Sequence, residues 1–254
     1  MNKLSRCFII ISLLGSISHI SSAQLPFNTD NAGTVGQWKK QIEVSYGIGF
    51  DNGHRCTRND IEISPVLTIG VHDKVDVVIG YPYVFVAEIE DSAISRISGF
   101  SDIGLEVKYR FLDFKKFSMA IKPGVSIPTG NYKLGIGNGK FSYSAFLVST
   151  FTFKRIFIHS NFGYIRNENK CGDAKDIWHI SVGFDYEANA NIHLVLNSGI
   201  EKNPDISSKI PPVFGIFGLY YCINGNVEFA LGYKYGCTEP ETDHSFILGT
   251  TFRF

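Results

Sequence analysis

The sequence predicts an all-β protein, a single antiparallel, up-and-down transmembrane β-barrel of about 12 strands. Three observations predict it. Apolar and polar residues alternate almost without a break after residue 40, and short turns alternate with long polar connections. The apolar set is also uniformly aliphatic and aromatic, whereas the polar set is rich in glycine and charge. Alternation with period two marks a strand with one oily and one wet face. In a soluble sandwich the oily face would be the core. In an outer-membrane barrel it meets lipid, and the wet face lines the interior.

The first 23 residues stand apart. A basic "MNKLSR", an apolar stretch broken by Ser and Gly, and "SSA" before Gln24 read as a secretory signal peptide, so residues 1–23 are set aside from the fold. Residues 24–40 are polar, with Gly and Asn, and are expected to form an N-terminal periplasmic segment or a plug. Residues 41–254 are expected to form the barrel.

The strands follow in order. Ile42 to Phe50 alternates with Glu43, Ser45, Gly47 and Gly49; Ile61 to Val71 and Val75 to Phe85 follow the same scheme. "GFSDIGLEVKYRF" places Ile103, Leu105, Val107, Tyr109 and Phe111 on one face and Asp102, Glu106, Lys108 and Arg110 on the other. Then come Phe117 to Ile127, Phe141 to Phe153, Ile156 to Tyr164, Trp178 to Tyr186 and Ile192 to Ile200. Val213 to Ile223 is apolar on both faces, which leaves its orientation open. Val227 to Tyr235 and Phe246 to Phe254 complete the set. Strands of about ten residues suit a tilted crossing of a bilayer. Short turns are read at His72–Lys74, Leu112–Lys116, Lys154–Arg155, Asn189–Asn191 and Asn224–Asn226. Long connections are read at Asp51–Asp60, Ala87–Ser101, Thr129–Lys140, Asn167–Asp176, Asn203–Pro212 and Gly236–Asp243. Short periplasmic turns and long outer loops are the outer-membrane pattern of a Gram-negative bacterium, with both termini in the periplasm. Tyr and Trp near strand ends, such as Tyr164, Trp178 and Tyr235, fit an interfacial girdle.

Composition excludes several classes. The 24 basic and 24 acidic residues balance, and removing Lys3 and Arg6 leaves 22 basic against 24 acidic, which argues against nucleic-acid binding. Cys56, Cys171, Cys222 and Cys237 have no zinc-like spacing. A loop–loop disulfide and free thiols both remain open, since four cysteines allow three pairings. No metal or cofactor motif is present, and "GIGNGK" (Gly135 to Lys140) reads as a glycine-rich outer loop rather than a phosphate loop. His159, His179 and His193 fall on the inward face. The strand register is expected to leave no outward His beside the outward Ser149, Ser160 or Ser198, so no enzyme is expected.

The inward face carries charges of both signs, among them Glu43, Glu62, Asp76, Glu201, Glu228, Lys234 and Arg253. If Phe111 pairs with Phe117, Glu106 sits opposite Lys122, and counting around Ala190 sets Asp185 opposite His193. Glu106, Lys108, Lys122, Asn161, His179, Asp185 and His193 are the candidate lumen or solute-lining residues. Ion pairs that keep a barrel interior satisfied would use the same residues.

"GFSDIGLEVKYRF", "IKPGVSIPTG" (Lys122 to Gly130), "GIGNGK" and "HSNFGYIRN" (His159 to Asn167) resemble, in that order, the outer-membrane proteins named after the meta-pathway of phenol degradation. The resemblance covers about the middle third of the chain and rests on Ser101, Asp102, Lys108, Arg110, Pro123, Gly124, Pro128, Thr129, Gly130, Asn161 and Gly163. It implies a transporter associated with hydrocarbon and aromatic catabolism. The terminal Phe254 resembles the signal read by the barrel-assembly machinery. The expected function is therefore a passive outer-membrane channel for small hydrophobic or aromatic molecules, with outer-membrane lipid and the assembly machinery as partners. The alternative is a surface structural or interaction protein acting through its extracellular loops.

Overall fold

The computed structural model describes residues 25–52, 56–90 and 93–254. The signal-peptide expectation for residues 1–23 lies outside the described residues. The fold is a closed, antiparallel barrel of twelve strands. Fourteen strand segments build it, because two of the twelve are interrupted. These are β1 (Lys40–Asn52), β2 (Cys56–His72), β3 (Val75–Gly80), β4 (Tyr83–Glu90), β5 (Ala93–Phe100), β6 (Ile103–Phe114) and β7 (Phe117–Ile127). They continue with β8 (Ser142–Phe153), β9 (Ile156–Arg166), β10 (Asp176–Glu187), β11 (Ile192–Glu201), β12 (Val213–Asn224), β13 (Val227–Gly236) and β14 (His244–Arg253). Pairing of β1 with both β2 and β14 closes the ring.

The oily face points out on every wall. Leu196, Phe217, Phe246 and Leu248 are about half exposed, whereas the inward Glu106, Lys108, Lys122 and Asp185 are buried. A surface of exposed Leu and Phe encircling a buried set of charges is the inverse of a soluble core and fits lipid as the outer solvent. No helix among the described residues is long and apolar enough to cross a membrane.

The structure redraws two expected loops. Residues 87–90 and 93–100 belong to the paired strands β4 and β5, and most of residues 51–60 belongs to β1 and β2. The β2–β4 ladder runs from Cys56↔Glu90 to Ile63↔Tyr83, so backbone pairing carries strands through a stretch whose side chains do not alternate cleanly. The breaks fall at Tyr81–Pro82 and Ser101–Asp102, where Pro82 has no N–H for a ladder. β3 pairs with β6, β4 with β5, and β5 has no strand partner on its far edge among the described residues.

Register also differs from expectation. Phe117 faces Phe114 rather than Phe111 because the turn tightens to Lys115–Lys116, and beyond a bulge between Arg110 and Leu112 Glu106 faces Gly124. Asp185 faces Val195, and His193 faces Glu187. The orientation of β12 is settled: Phe214, Ile216 and Tyr220 point inward, while Phe217, Leu219 and Tyr221 face lipid. Both faces are apolar because the inner one packs against Pro26 and Phe27 of the N-terminal segment.

Candidate functional site

The barrel interior is occupied by its own chain. Residues 25–37 run through the lumen before β1, and Pro26, Phe27, Thr29, Asp30 and Ala32 are almost completely buried. The segment touches each strand from β6 to β14. Leu25 lies against Gly249 of β14, and Pro26 sits between Gly218 of β12 and Gly232 of β13. A Cβ on either of those two glycines would come within 2.8 Å of the Pro26 ring, so only glycine admits this approach. Phe27 packs over Gly183 of β10 and edge-on to His159 of β9, with ring centroids 5.5 Å apart. The Asn197 side chain on β11 accepts from the Asn28 N–H at 2.8 Å and donates to the Thr29 hydroxyl at 2.6 Å. Farther on, the Ala32 N–H donates to the Thr150 hydroxyl of β8 at 2.9 Å, and the Val35 N–H to Asp76 of β3 at 3.1 Å.

Asp30 is the centre of this arrangement. Its carboxylate takes Lys108 Nζ on Oδ1 at 2.7 Å and Lys122 Nζ on Oδ2 at 3.1 Å. Lys122 reaches Glu106 at 3.3 Å, and Lys108 also donates to the Asn31 carbonyl at 3.1 Å. The Asn161 amide, oriented by its hydrogen bonds, donates to the Asp30 carbonyl at 3.0 Å and accepts from the Asp30 N–H at 2.7 Å. Two lysines and two carboxylates therefore share one desolvated cluster of balanced charge. Asp30 and Lys122 each meet two opposite charges, Lys108 meets Asp30 and the Asn31 carbonyl, and Glu106 meets Lys122, so every ion taken from water there is paired, the condition under which a buried charge is tolerated.

The seven candidate lining residues thus all face the lumen, and four of them, Glu106, Lys108, Lys122 and Asn161, converge on or beside Asp30. The other three form two separate clusters. Asp185 accepts from the Tyr220 hydroxyl at 2.5 Å and pairs with His193 Nδ1 at 2.7 Å, while His193 stacks on Tyr220. His179 Nδ1 lies 3.2 Å from Glu201 on the opposite strand. Both side-chain pairs expected from the sequence form although both registers are two residues off. Diagonal neighbours on one face of a sheet remain within reach of long side chains. At the periplasmic end, Arg253 of β14 binds Glu228 of β13 through two hydrogen bonds of 2.6 and 2.9 Å and donates to Gln41 of β1, which fastens the closing seam.

The expectation of no outward His is corrected. His244 lies on the outward side of β14, its Nδ1 2.6 Å from the Tyr233 hydroxyl. Ser149 and Ser160 bond to each other at 2.7 Å, and Ser198 donates to the Phe214 carbonyl. Cys171, Cys222 and Cys237 are free thiols, and the Cys56 side chain lies outside the described residues.

Elsewhere the interior changes character. On the inner face of β2, β3 and β4 the buried Val66, Val78, Val84 and Val86 form an apolar patch set among Arg58, Asp60, Glu62 and Glu88 on its outer side and Thr68 and Asp76 on its periplasmic side. Ile136, from the connection after β7, lies under Gly99 of the unpartnered β5. That connection is held by Asp102, whose carboxylate accepts from the Gly130 N–H at 2.9 Å and the Asn138 N–H at 2.8 Å. The Thr129 hydroxyl adds contacts to the Ile103 N–H and the Ser101 carbonyl. A 3-10 turn at Tyr132–Leu134, capped by Asn131, completes a stretch the sequence suggests only as glycine-rich.

Residues 57–254 match the family described as "Putative MetA-pathway of phenol degradation". The chain belongs to this family. No curated protein matches the sequence. Among solved structures, the COG4313 outer membrane channel from Pseudomonas putida F1 superposes with a TM-score of 0.69 at 13% identity, covering 88% of this chain and 98% of that one. The translocator domain of the autotransporter NalP from Neisseria meningitidis gives 0.55 at 8% identity over 86% and 89% of the two chains. The KdgM porin gives 0.51 at 9% over 84% and 99%. These likenesses concern the fold, and with the lipid-facing surface they place this member of the MetA-pathway family in the bacterial outer membrane.

The residues that carry the resemblance to the MetA-pathway family divide between two structural tasks. Lys108 and Asn161 hold the N-terminal segment through Asp30. Ser101, Asp102, Thr129 and Gly130 tie the outer connection to the break in the wall. Asp30 itself escapes sequence reading, since it lies outside any strand pattern. The one available signal was the facing glycines Gly218 and Gly232, which leave room for another chain.

Proposed function

We propose that this barrel is a passive channel for small hydrophobic or aromatic molecules. The observation that carries the reading is the patch of buried valines, Val66, Val78, Val84 and Val86, on the inner face next to β5, whose far edge has no strand partner among the described residues. The polar part of the lumen is filled by residues 25–37, so a water-filled route for polar solutes has little space there. An apolar solute entering from outside would instead pass the Arg58–Glu88 pair, reach the valine patch and leave between β5 and residues 128–141. Such a lining suits solutes that bring no polar group needing a partner. In this reading Glu106, Lys108, Lys122, Asn161, His179, Asp185 and His193 keep the segment and the interior satisfied, and they meet solute only when the segment is displaced. The COG4313 relative's description as an outer membrane channel and the porin likeness support the channel class. The outer connections bond to one another, as in Asn138 to Asn167 and Ala174 to Pro204, which favours a channel over a surface-binding protein.

The test is influx into vesicles whose outer leaflet is lipopolysaccharide, comparing toluene with glucose. Toluene is expected to enter several-fold faster than into protein-free vesicles, and Val84→Asp with Val86→Asp is expected to abolish the gain. Toluene influx equal to that of protein-free vesicles, or an equal gain for glucose, overturns the reading.

A further inference from the structure

We propose that the outer ends of β8, β9 and β10 form a docking surface for the phosphate groups of the outer-leaflet glycolipid. The argument begins with register. On the lipid-facing side of these strands Phe162 and Ile180 form an apolar row, and Tyr164 beside Trp178 forms an aromatic row next to it. One row farther out, Arg166 lies beside Tyr143 on one neighbour and Asp176 on the other. Apolar, then aromatic, then charged is the order of a bilayer leaflet from its core to its headgroups. The charged row therefore sits at headgroup depth on the outside of the wall, away from the lumen.

The charge at that level is mostly cationic. Arg166 is committed to two carboxylates, donating through Nε to Glu168 at 2.9 Å and pairing through a terminal nitrogen with Asp176 at 2.7 Å. The Tyr164 hydroxyl also donates to Asp176 at 2.6 Å. Its neighbouring lysines are held far more loosely. Lys140 and Lys175 each approach Glu168 only to 3.9 and 3.8 Å, and both are about half exposed. Three cations thus converge on one carboxylate, which Arg166 holds well below the usual range and so keeps ionised. A phosphate can replace the two long Lys–Glu contacts with short charge-assisted hydrogen bonds while Arg166 keeps the cluster in place. The opposite wall differs: "GCTEPETD" (Gly236 to Asp243) brings Glu239, Glu241 and Asp243 and no cation.

A lipid is the occupant rather than a free anion because the cluster stands directly over Tyr164 and Trp178, which offer acyl chains and sugar rings a continuous surface. This inference rests on the outer-membrane location and not on the channel reading.

Native mass spectrometry of the refolded full barrel, with lipid A bearing both phosphates or none, tests it. The phosphorylated form is expected to be retained at least about fivefold better, and Lys140→Glu with Lys175→Glu to remove that preference. Lys209→Glu, an equal kind of charge change elsewhere on the outer surface, is expected to leave it intact. Glu168→Gln removes the competing carboxylate and is expected to increase retention, a gain that misfolding cannot produce. The proposal is overturned if both lipids are retained equally, if Lys209→Glu acts like the double variant, or if inorganic phosphate competes as well as the lipid.

Discussion

Two walls of the same lumen meet their contents in opposite ways. From β6 to β9 the inner face is charged and amide-bearing, and Lys108, Lys122 and Asn161 grip Asp30 at distances of 2.7 to 3.1 Å. From β2 to β4 the inner face carries a patch of four buried valines among Arg58, Glu88 and Asp76, and the neighbouring β5 has no strand on its far edge among the described residues. The first wall specifies a single occupant, since every buried ion there needs its named partner. The valine patch of the second offers non-directional contact and accepts whatever apolar surface fits. One barrel can therefore keep a segment of its own chain fixed on one side and leave a less specific surface on the other.

The largest expected effect breaks the charged wall. Asp30→Ala removes the 2.7 Å partner of Lys108 and one of the two carboxylates that Lys122 meets, and removing one member of a buried ion cluster costs about 3–5 kcal/mol. Urea unfolding of the barrel refolded in vesicles should show that loss. Lys108→Ala is milder, because Asp30 retains Lys122 and Asn161, and a loss of about 2–3 kcal/mol is expected in the same assay. In the valine patch, Val78→Ala removes two methyl groups from a fully buried site and should cost about 1–2 kcal/mol. A larger cost for Val78→Ala than for Asp30→Ala would reverse the contrast between the walls.

The smallest effect is kinetic and reports on the connection bordering β5. The Cys171 thiol lies 3.7 Å from the Gly137 carbonyl, and burial pushes its pKa up. Less thiolate is then present near neutral pH, so maleimide labelling in single-cysteine proteins should be slower at Cys171 than at Cys237, although both residues are exposed. Asp102→Ala frees the Gly130 and Asn138 amides and should speed labelling at Cys171 alone. An unchanged rate would mean that Asp102 does not hold the connection.

The strands were legible because lipid imposes a simple rule on every outward position. Ile103, Leu105, Val107 and Tyr109 had to be apolar wherever the neighbours lay, and the turn at Lys154–Arg155 was marked by polar residues, whereas the turn read at Leu112–Lys116 tightens to Lys115–Lys116. The side-chain pairs Glu106–Lys122 and Asp185–His193 were also legible, since they need only a shared face and a nearby strand. Register was harder to read. The two-residue turn at Lys115–Lys116 moves Phe117 from Phe111 to Phe114, and the bulge after Arg110, which shifts the ladder again before Glu106, leaves no mark in the alternation. The β4–β5 pair was hidden because its backbone ladder, rather than an apolar stripe, continues the strands past Ala87.

By itself, then, the sequence determined that lipid would lie outside and charge inside, because solvent preference is a property of each residue and its period. Only the tertiary structure decided what the charge is for. Inward residues facing water, a solute or another stretch of chain have the same composition, and nothing in a local pattern names the partner. That Lys108 and Lys122 meet Asp30, far away in sequence, follows from barrel closure around residues 25–37, where burial without a counter-charge would be too costly.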